Sequence, residues 1–330
     1  EARESNKMLA VALAVAAAQP RCYLDSVWSN SSLRVLSNIP YGSSFNNKTG
    51  TQQQLLLDAY LPPASDTRTK IPVLVFVHGG GFVGGDKTGE GDVRFVKELV
   101  QRGFAAISVD YRLTGEYWTW ESQRPVLDAV EDVRAAIRYV RSVAAEQRLD
   151  TTRILLAGES AGAVTSLYIG YADMAQYDGG SGNPGWSSAV STVMPISGEL
   201  KQQAYCDTVV PAPQGCKIDT GIDITDDVKG SAANFPQPPL LMLHGTADLT
   251  VPYVDGKAVY DRAQAVGLNS TLITMKGATH VPWDAIFTDE VFSKTTRAIA
   301  DALDLANAQQ PAGCTPSLPL ATGSVEEAAM

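Results

Sequence analysis

Ser160 stands between glycines in Gly158-Glu159-Ser160-Ala161-Gly162, directly after the apolar run RILLA and before the helix-compatible run AVTSLYI. A serine hydroxyl is a weak nucleophile until a neighbouring base takes its proton. Flanking glycines suit a tight strand-to-helix turn that lifts the hydroxyl above a sheet and aims the next amide, that of Ala161, at the same space. A second glycine-rich stretch, His78-Gly79-Gly80-Gly81-Phe82, follows the apolar run IPVLVFV. Acyl transfer builds negative charge on a carbonyl oxygen, and backbone N–H groups aimed there stabilise it. Gly80, Gly81 and Ala161 are therefore the expected oxyanion donors, and His78 is expected to prop the loop.

A serine of this kind needs a base and an acid, and the chain has only 3 histidines. His280, in GATHVPW, follows the strand-like run TLITMKG; His244 lies within LLMLHGTAD, and Asp248 closes that stretch. The predicted constellation is Ser160 as nucleophile, Asp248 as acid and His280 as base, in that chain order. Glu199 and Asp255 compete with Asp248 for the acid role. A rival reading takes Gly79-x-Gly81-x-x-Gly84 as a dinucleotide fingerprint, with Asp110 ending the next strand. That fingerprint must open a helix at once, whereas the polar stretch GGDKTGEGD intervenes. No cofactor and no metal site are therefore expected.

The elements that must position these residues are legible as short apolar runs: LLLDAYL, IPVLVFV, AAISVD, RILLAG, TVMPIS, LLMLHG and TLITMKG. Between them, apolar spacings of three and four predict helices over 93–101 and 126–145. This alternation predicts a mainly parallel sheet with helices on both faces, and sites beyond the carboxyl ends of its strands. The segments 171–188 and 199–239 interrupt the pattern and are expected to be loops or a lid. Residues 19–310 are read as one domain and 311–330 as a Pro/Ala/Ser-rich tail.

The 330 residues are 45% hydrophobic and 19% charged, ordinary for a globular chain, with a net charge of -10. No basic block speaks for a nucleic-acid partner. Residues 1–18 contain MLAVALAVAAA, too short to span a bilayer but suited to a signal-peptide core, so export without an integral membrane span is expected. Four cysteines allow three pairings. The expected ones are Cys206–Cys216, closing a short loop, and Cys22–Cys314, tying the ends together. Sequons begin at Asn30, Asn47 and Asn269.

Taken together, HGGGF, VDYRL, GESAGA, ISG, HGTADLTVP and GATH resemble the α/β-hydrolase serine esterases, over about residues 35–305. HGGGF with GESAGA is most similar to the carboxylesterase, hormone-sensitive-lipase-like and cholinesterase-related branches. The resemblance implies the α/β-hydrolase fold and the roles already given to Ser160, Asp248, His280, Gly80, Gly81 and Ala161. Glu159 departs from the G-D-S-A-G usual in the hormone-sensitive-lipase branch, and HGTADLTVP is closer to small secreted feruloyl- and acetyl-esterases. The implied substrate is a small-molecule or polysaccharide-linked ester with a short-chain, acetyl or aromatic acyl group. Phe82 and Trp283, beside the catalytic segments, are the expected substrate contacts; Trp118, Trp120 and Trp186 are further candidates. Two alternatives are a prolyl-type serine peptidase or aminopeptidase on the same fold and a non-catalytic cholinesterase-like binding protein. Sequence alone says nothing of the oligomeric state.

Overall fold

A computed structural model describes residues 19–114, 124–172, 178–200, 225–316 and 327–328. The run IPVLVFV forms β3 (Ile71–Val77), the middle of the fold, and all seven of its residues are buried. Ile71, Val73, Val75 and Val77 enter one apolar core, while Leu74 and Phe76 enter another on the opposite face. A strand covered on both faces has no use for polar alternation, which is why its sequence is unbroken.

Around it lie β1 (Arg34–Asn46), β2 (Thr51–Leu61), β4 (Ala105–Val109), β5 (Leu149–Glu159), β6 (Thr192–Ile196), β7 (Leu240–Gly245), β8 (Ser270–Met275) and the two-residue β9 (Glu327–Ala328). They join into one nine-stranded sheet in the order β1-β2-β4-β3-β5-β6-β7-β8-β9. The pairings of β2 with β1 and β4 are antiparallel, and the others are parallel. The expected mainly parallel sheet is thus present, with an antiparallel edge that sequence reading did not anticipate. β1 escaped notice because Val35, Leu36 and Phe45 are half exposed at 46%, 48% and 49%, and its register slips twice, near Leu36/Ile39 and Pro40/Gly42.

Helices cover both faces. One core takes α2 (Arg124–Gln147), α3 (Ala161–Tyr171) and α4 (Tyr253–Ala265); the other takes α1 (Glu90–Gln101), α5 (Trp283–Ile286) and α6 (Asp289–Ala302). Val126, Val130, Val133, Ile137 and Val140 give α2 its apolar stripe, and all are buried. Arg112 ties the loop after β4 to this helix through Asp132, whose Oδ2 accepts from the Arg112 amide at 2.8 Å and from Nε at 2.9 Å.

Cys22 and Cys314 form a disulfide with a Cα–Cα distance of 5.1 Å, joining the two ends of the described chain. Cys206 and Cys216, the leader-like segment 1–18, and Trp118 and Trp120 lie outside the described residues. Among the described residues, no helix is long and apolar enough to cross a membrane.

Candidate active site

β5 ends at Glu159 and α3 begins at Ala161, so Ser160 is the whole turn between strand and helix. It sits at φ 52 and ψ −117, a conformation that L-residues seldom adopt. The Ser160 amide holds it there by donating to Ile196 O at 3.0 Å. The glycines on either side answer a steric demand. A Cβ on Gly162 would lie 2.0 Å from Val77 O, and one on Gly158 2.5 Å from the Gly162 backbone. The turn packs directly on the end of β3, where no side chain fits.

His280 follows β8, and Asp248 follows β7. The His280 Nδ1–H donates to Asp248 Oδ2 at 2.8 Å, which leaves Nε2 free to accept from Ser160 Oγ at 2.9 Å. The carboxylate on His280 is therefore that of Asp248. Asp255 lies in the first turn of α4, and Glu199 is buried beyond β6. Asp248 Oδ1 also accepts from the amides of Thr250 and Val251, at 3.0 and 2.9 Å. Burial alone would raise the Asp248 pKa; the hydrogen bonds from His244, His280 and the Val251 amide hold it well below the usual carboxylate range. Such a chain of bonds can carry a proton from a serine to an imidazole and stabilise the imidazolium.

Gly80, Gly81 and Phe82 follow one another at φ 101, 59 and 64, a left-handed run that turns the backbone back on itself. A Cβ on Gly80 would meet Gly84 O at 2.2 Å. Among the described residues, no hydrogen bond uses the amides of Gly80, Gly81 or Ala161. The Ala161 amide opens α3, where a helix has no partner of its own to offer. The Gly79 amide donates to Glu159 Oε1 at 2.5 Å, joining this loop to the serine turn. His78 is 2% exposed, stacks on Tyr111 with ring centroids 4.3 Å apart, and points Nδ1 at Gly79 O, 2.7 Å away. Burial lowers its pKa, so the ring is a neutral prop in the loop.

The expected substrate contacts fare differently. Phe82 is 6% exposed and meets Tyr111 edge-on. Trp283 lies among Phe76, Phe95 and Phe287, with ring centroids 6.4, 6.0 and 5.7 Å away, and so serves the core under α1. Trp186 is exposed.

Two positioning residues had no assigned role in the sequence. Ser197, at φ 53 and fully buried, accepts from the Val281 amide at 3.0 Å and so pins the loop that carries His280. His244 donates from Nε2 to Val251 O at 3.0 Å, with Asp248 Oδ2 3.5 Å from the same nitrogen. Their only signal was adjacency, in ISG and in HGTAD. Among the described residues, no group of His, Cys, Asp and Glu is arranged to hold a metal ion.

This sheet order, with a serine turn after β5, Asp248 after β7 and His280 after β8, is that of the α/β-hydrolase fold. Residues 57–200 match the family model described as BD-FAE. Isoprenylcysteine alpha-carbonyl methylesterase of Arabidopsis thaliana is 25% identical over 281 residues, which are 81% of this chain and 62% of that protein. The chain thus spans less than two thirds of that relative. A truncated carbohydrate esterase from gut microbiota superposes with a TM-score of 0.64 at 21% identity, over 85% of this chain and all of the other. Thermogutta terrifontis esterase 2, in a form phosphoramylated by tabun, does so with a TM-score of 0.62 at 21% identity, over 85% and 97% of the two chains.

Proposed function

We propose that the protein hydrolyses carboxylic esters through an acyl-serine intermediate. The Ser160 Oγ attacks the ester carbonyl carbon while His280 Nε2 takes its proton. The carbonyl oxygen becomes an oxyanion facing the amides of Gly80, Gly81 and Ala161. The tetrahedral species collapses, the C–O bond to the alcohol breaks, and His280 returns the proton to the leaving oxygen. Water then repeats the sequence and releases the acid. Asp248 keeps the imidazole in the tautomer that accepts at Nε2.

The observation that carries this reading is the unbroken line from Ser160 through His280 to Asp248, at 2.9 and 2.8 Å. The family match and the esterase names among similar proteins support it. For the substrate, the carbohydrate esterase among the structural neighbours favours short acyl groups borne by a sugar or polysaccharide. Export fits the Cys22–Cys314 disulfide, since such bonds persist in oxidising compartments.

Ser160→Ala should abolish hydrolysis of p-nitrophenyl acetate and leave the melting temperature near that of the parent. A fluorophosphonate should label Ser160 alone. A fully active Ser160→Ala protein, or labelling elsewhere, defeats the proposal. A panel of p-nitrophenyl, sugar-acetate and feruloyl esters then ranks the acyl group. Faster turnover of aminoacyl anilides would favour the peptidase alternative.

A further inference from the structure

At the end of the sheet opposite Ser160 lies a recess of about 400 Å³, lined by the chain entering β6 and β7 and by the C-terminal turn of α3. Ser160, by contrast, stands where the chain leaves β5, so in a parallel sheet the two places are a full strand length apart. Arg134 lines this recess, and Arg138 lies one helical turn further along α2. They are 8% and 1% exposed.

Among the described residues, the carboxylate paired with both is that of Asp178. Its Oδ1 lies 3.2 Å from Arg134 Nη1 and 3.1 Å from Arg138 Nη1, and its side chain is 45% exposed. Arg134 Nη1 also reaches Ser188 Oγ at 3.4 Å, and Arg138 Nε donates to Gly182 O at 3.0 Å. Arg134 Nε and Arg138 Nη2 are buried and have no hydrogen-bond partner among the described residues. Among the described residues, two buried guanidinium groups thus share one partly solvated carboxylate. An unbalanced charge in a low-dielectric site is costly unless an anion joins it. Burial lowers the pKa of both arginines, and the arginines also repel each other.

The rest of the wall is of another kind: Ile169, Ala172, Val190, Phe235 and Pro238 present apolar surface. We infer that this recess is a second ligand site, built for a small carboxylate with an apolar body. The carboxylate oxygens accept from Arg134, and the body lies against Phe235, Ile169 and Val190. A planar guanidinium fork matches a carboxylate, and the volume falls in the range of about 300–1,000 Å³ usual for small-molecule sites. A naked inorganic anion would leave the apolar wall unused. The carboxylate could come from an ester's acid half or from an acidic sugar, and the two sources are separable by experiment.

The test is a titration of the intact protein with benzoate and, separately, with glucuronate, followed by amide shifts of residues 187–190, Asn234, Phe235 and Gln237. At least one acid should perturb these amides, and benzamide, which lacks the charge, should not. Arg134→Gln should weaken binding by about tenfold or more, the loss expected for a hydrogen bond to a charged group. Because Arg134→Gln removes a buried group, Ser187→Trp, at an exposed rim position, serves as the independent block and should also abolish binding. Ester hydrolysis should stay at the parental rate in both variants, so that failure here is distinct from failure of the proposal for Ser160. A benzoate response shows the acid-half source, and a glucuronate response the sugar source. No perturbation up to about 10 mM, tenfold above a Kd of about 1 mM, overturns the inference. So does equal binding by both variants, or benzamide binding as well as benzoate.

Discussion

Asp248 and Asp92 are almost equally buried, at 3% and 5% exposure, yet their surroundings drive their pKa values in opposite directions. Around Asp248, burial is outweighed by donors: His244, His280 and the Val251 amide hold it well below the ordinary range. Asp92, in the first turn of α1, has only a backbone amide of its own to offset burial. Burial first, then the charges of Glu159 and Asp86, push it up to about 8. Glu159 is itself raised by burial, against the pull of the Gly79 amide and His280. What decides the charge of a buried carboxyl is thus whether N–H groups or other carboxylates face it. The surroundings beyond β7 and β8 favour a charge on Asp248, and those beside the HGGGF loop favour a proton on Asp92.

The largest effect should come from breaking the first region. Asp248→Asn keeps the shape but removes the charge that selects the His280 tautomer. It should lower kcat by about 10⁴ without unfolding the protein. Glu199→Gln and Asp255→Asn should each cost about tenfold at most. If Glu199→Gln is the crippled variant instead, the acid has been misassigned, although the contrast between Asp248 and Asp92 would stand.

Next in size is a disruption that leaves both carboxyls alone. Replacing Cys22 and Cys314 with serine should lower stability by about 2–4 kcal/mol, read by denaturant unfolding, while kcat stays unchanged. A loss of activity at low denaturant would mean that the ends of the chain help to set the site.

Asp92→Asn tests the second region. The unfolded chain gives up this proton near pH 4, whereas the folded protein holds it to about 8. Between those values the folded state binds more protons, so parental stability should fall as pH rises. The variant lacks that slope. Its melting temperature should exceed the parental one increasingly from pH 4 to 8, with the gap constant above. Parallel melting curves across this range would show that Asp92 titrates normally. The smallest effect is expected from Glu159→Gln, which removes one of the charges facing Asp92. The Asp92 carboxyl, followed by its carbon-13 shift, should then titrate below 8; an unchanged midpoint would leave burial and Asp86 as the causes.

Much of the site was legible because its chemistry is local. Ser160 was marked by its glycines, the proposed oxyanion loop by HGGGF, and the proposed base, His280, by the scarcity of histidine. The acid was chosen by its place at a strand end, a choice that the 2.8 Å bond to His280 matches. The segments 199–239 and 171–188 are described only in part, and their reading as a lid stays a proposal.

Short apolar runs and their spacing were enough to determine the layered parallel sheet and the strand ends that carry Ser160, Asp248 and His280, because periodicity and turn chemistry act over neighbouring residues. Other features arose only where distant segments met. Val35 and Leu36 read poorly as a strand, yet β1 pairs along the whole of β2. Asp92 looks like an ordinary acidic residue opening an amphipathic helix until Glu159 is folded towards it. Trp283 stands beside His280 in sequence but is drawn into the ring cluster of Phe76 and Phe95. Arg134 and Arg138 read as the polar side of a helix until residues 178–190 cover them. Burial and charge balance are sums over non-local neighbours, and no window of sequence contains those sums.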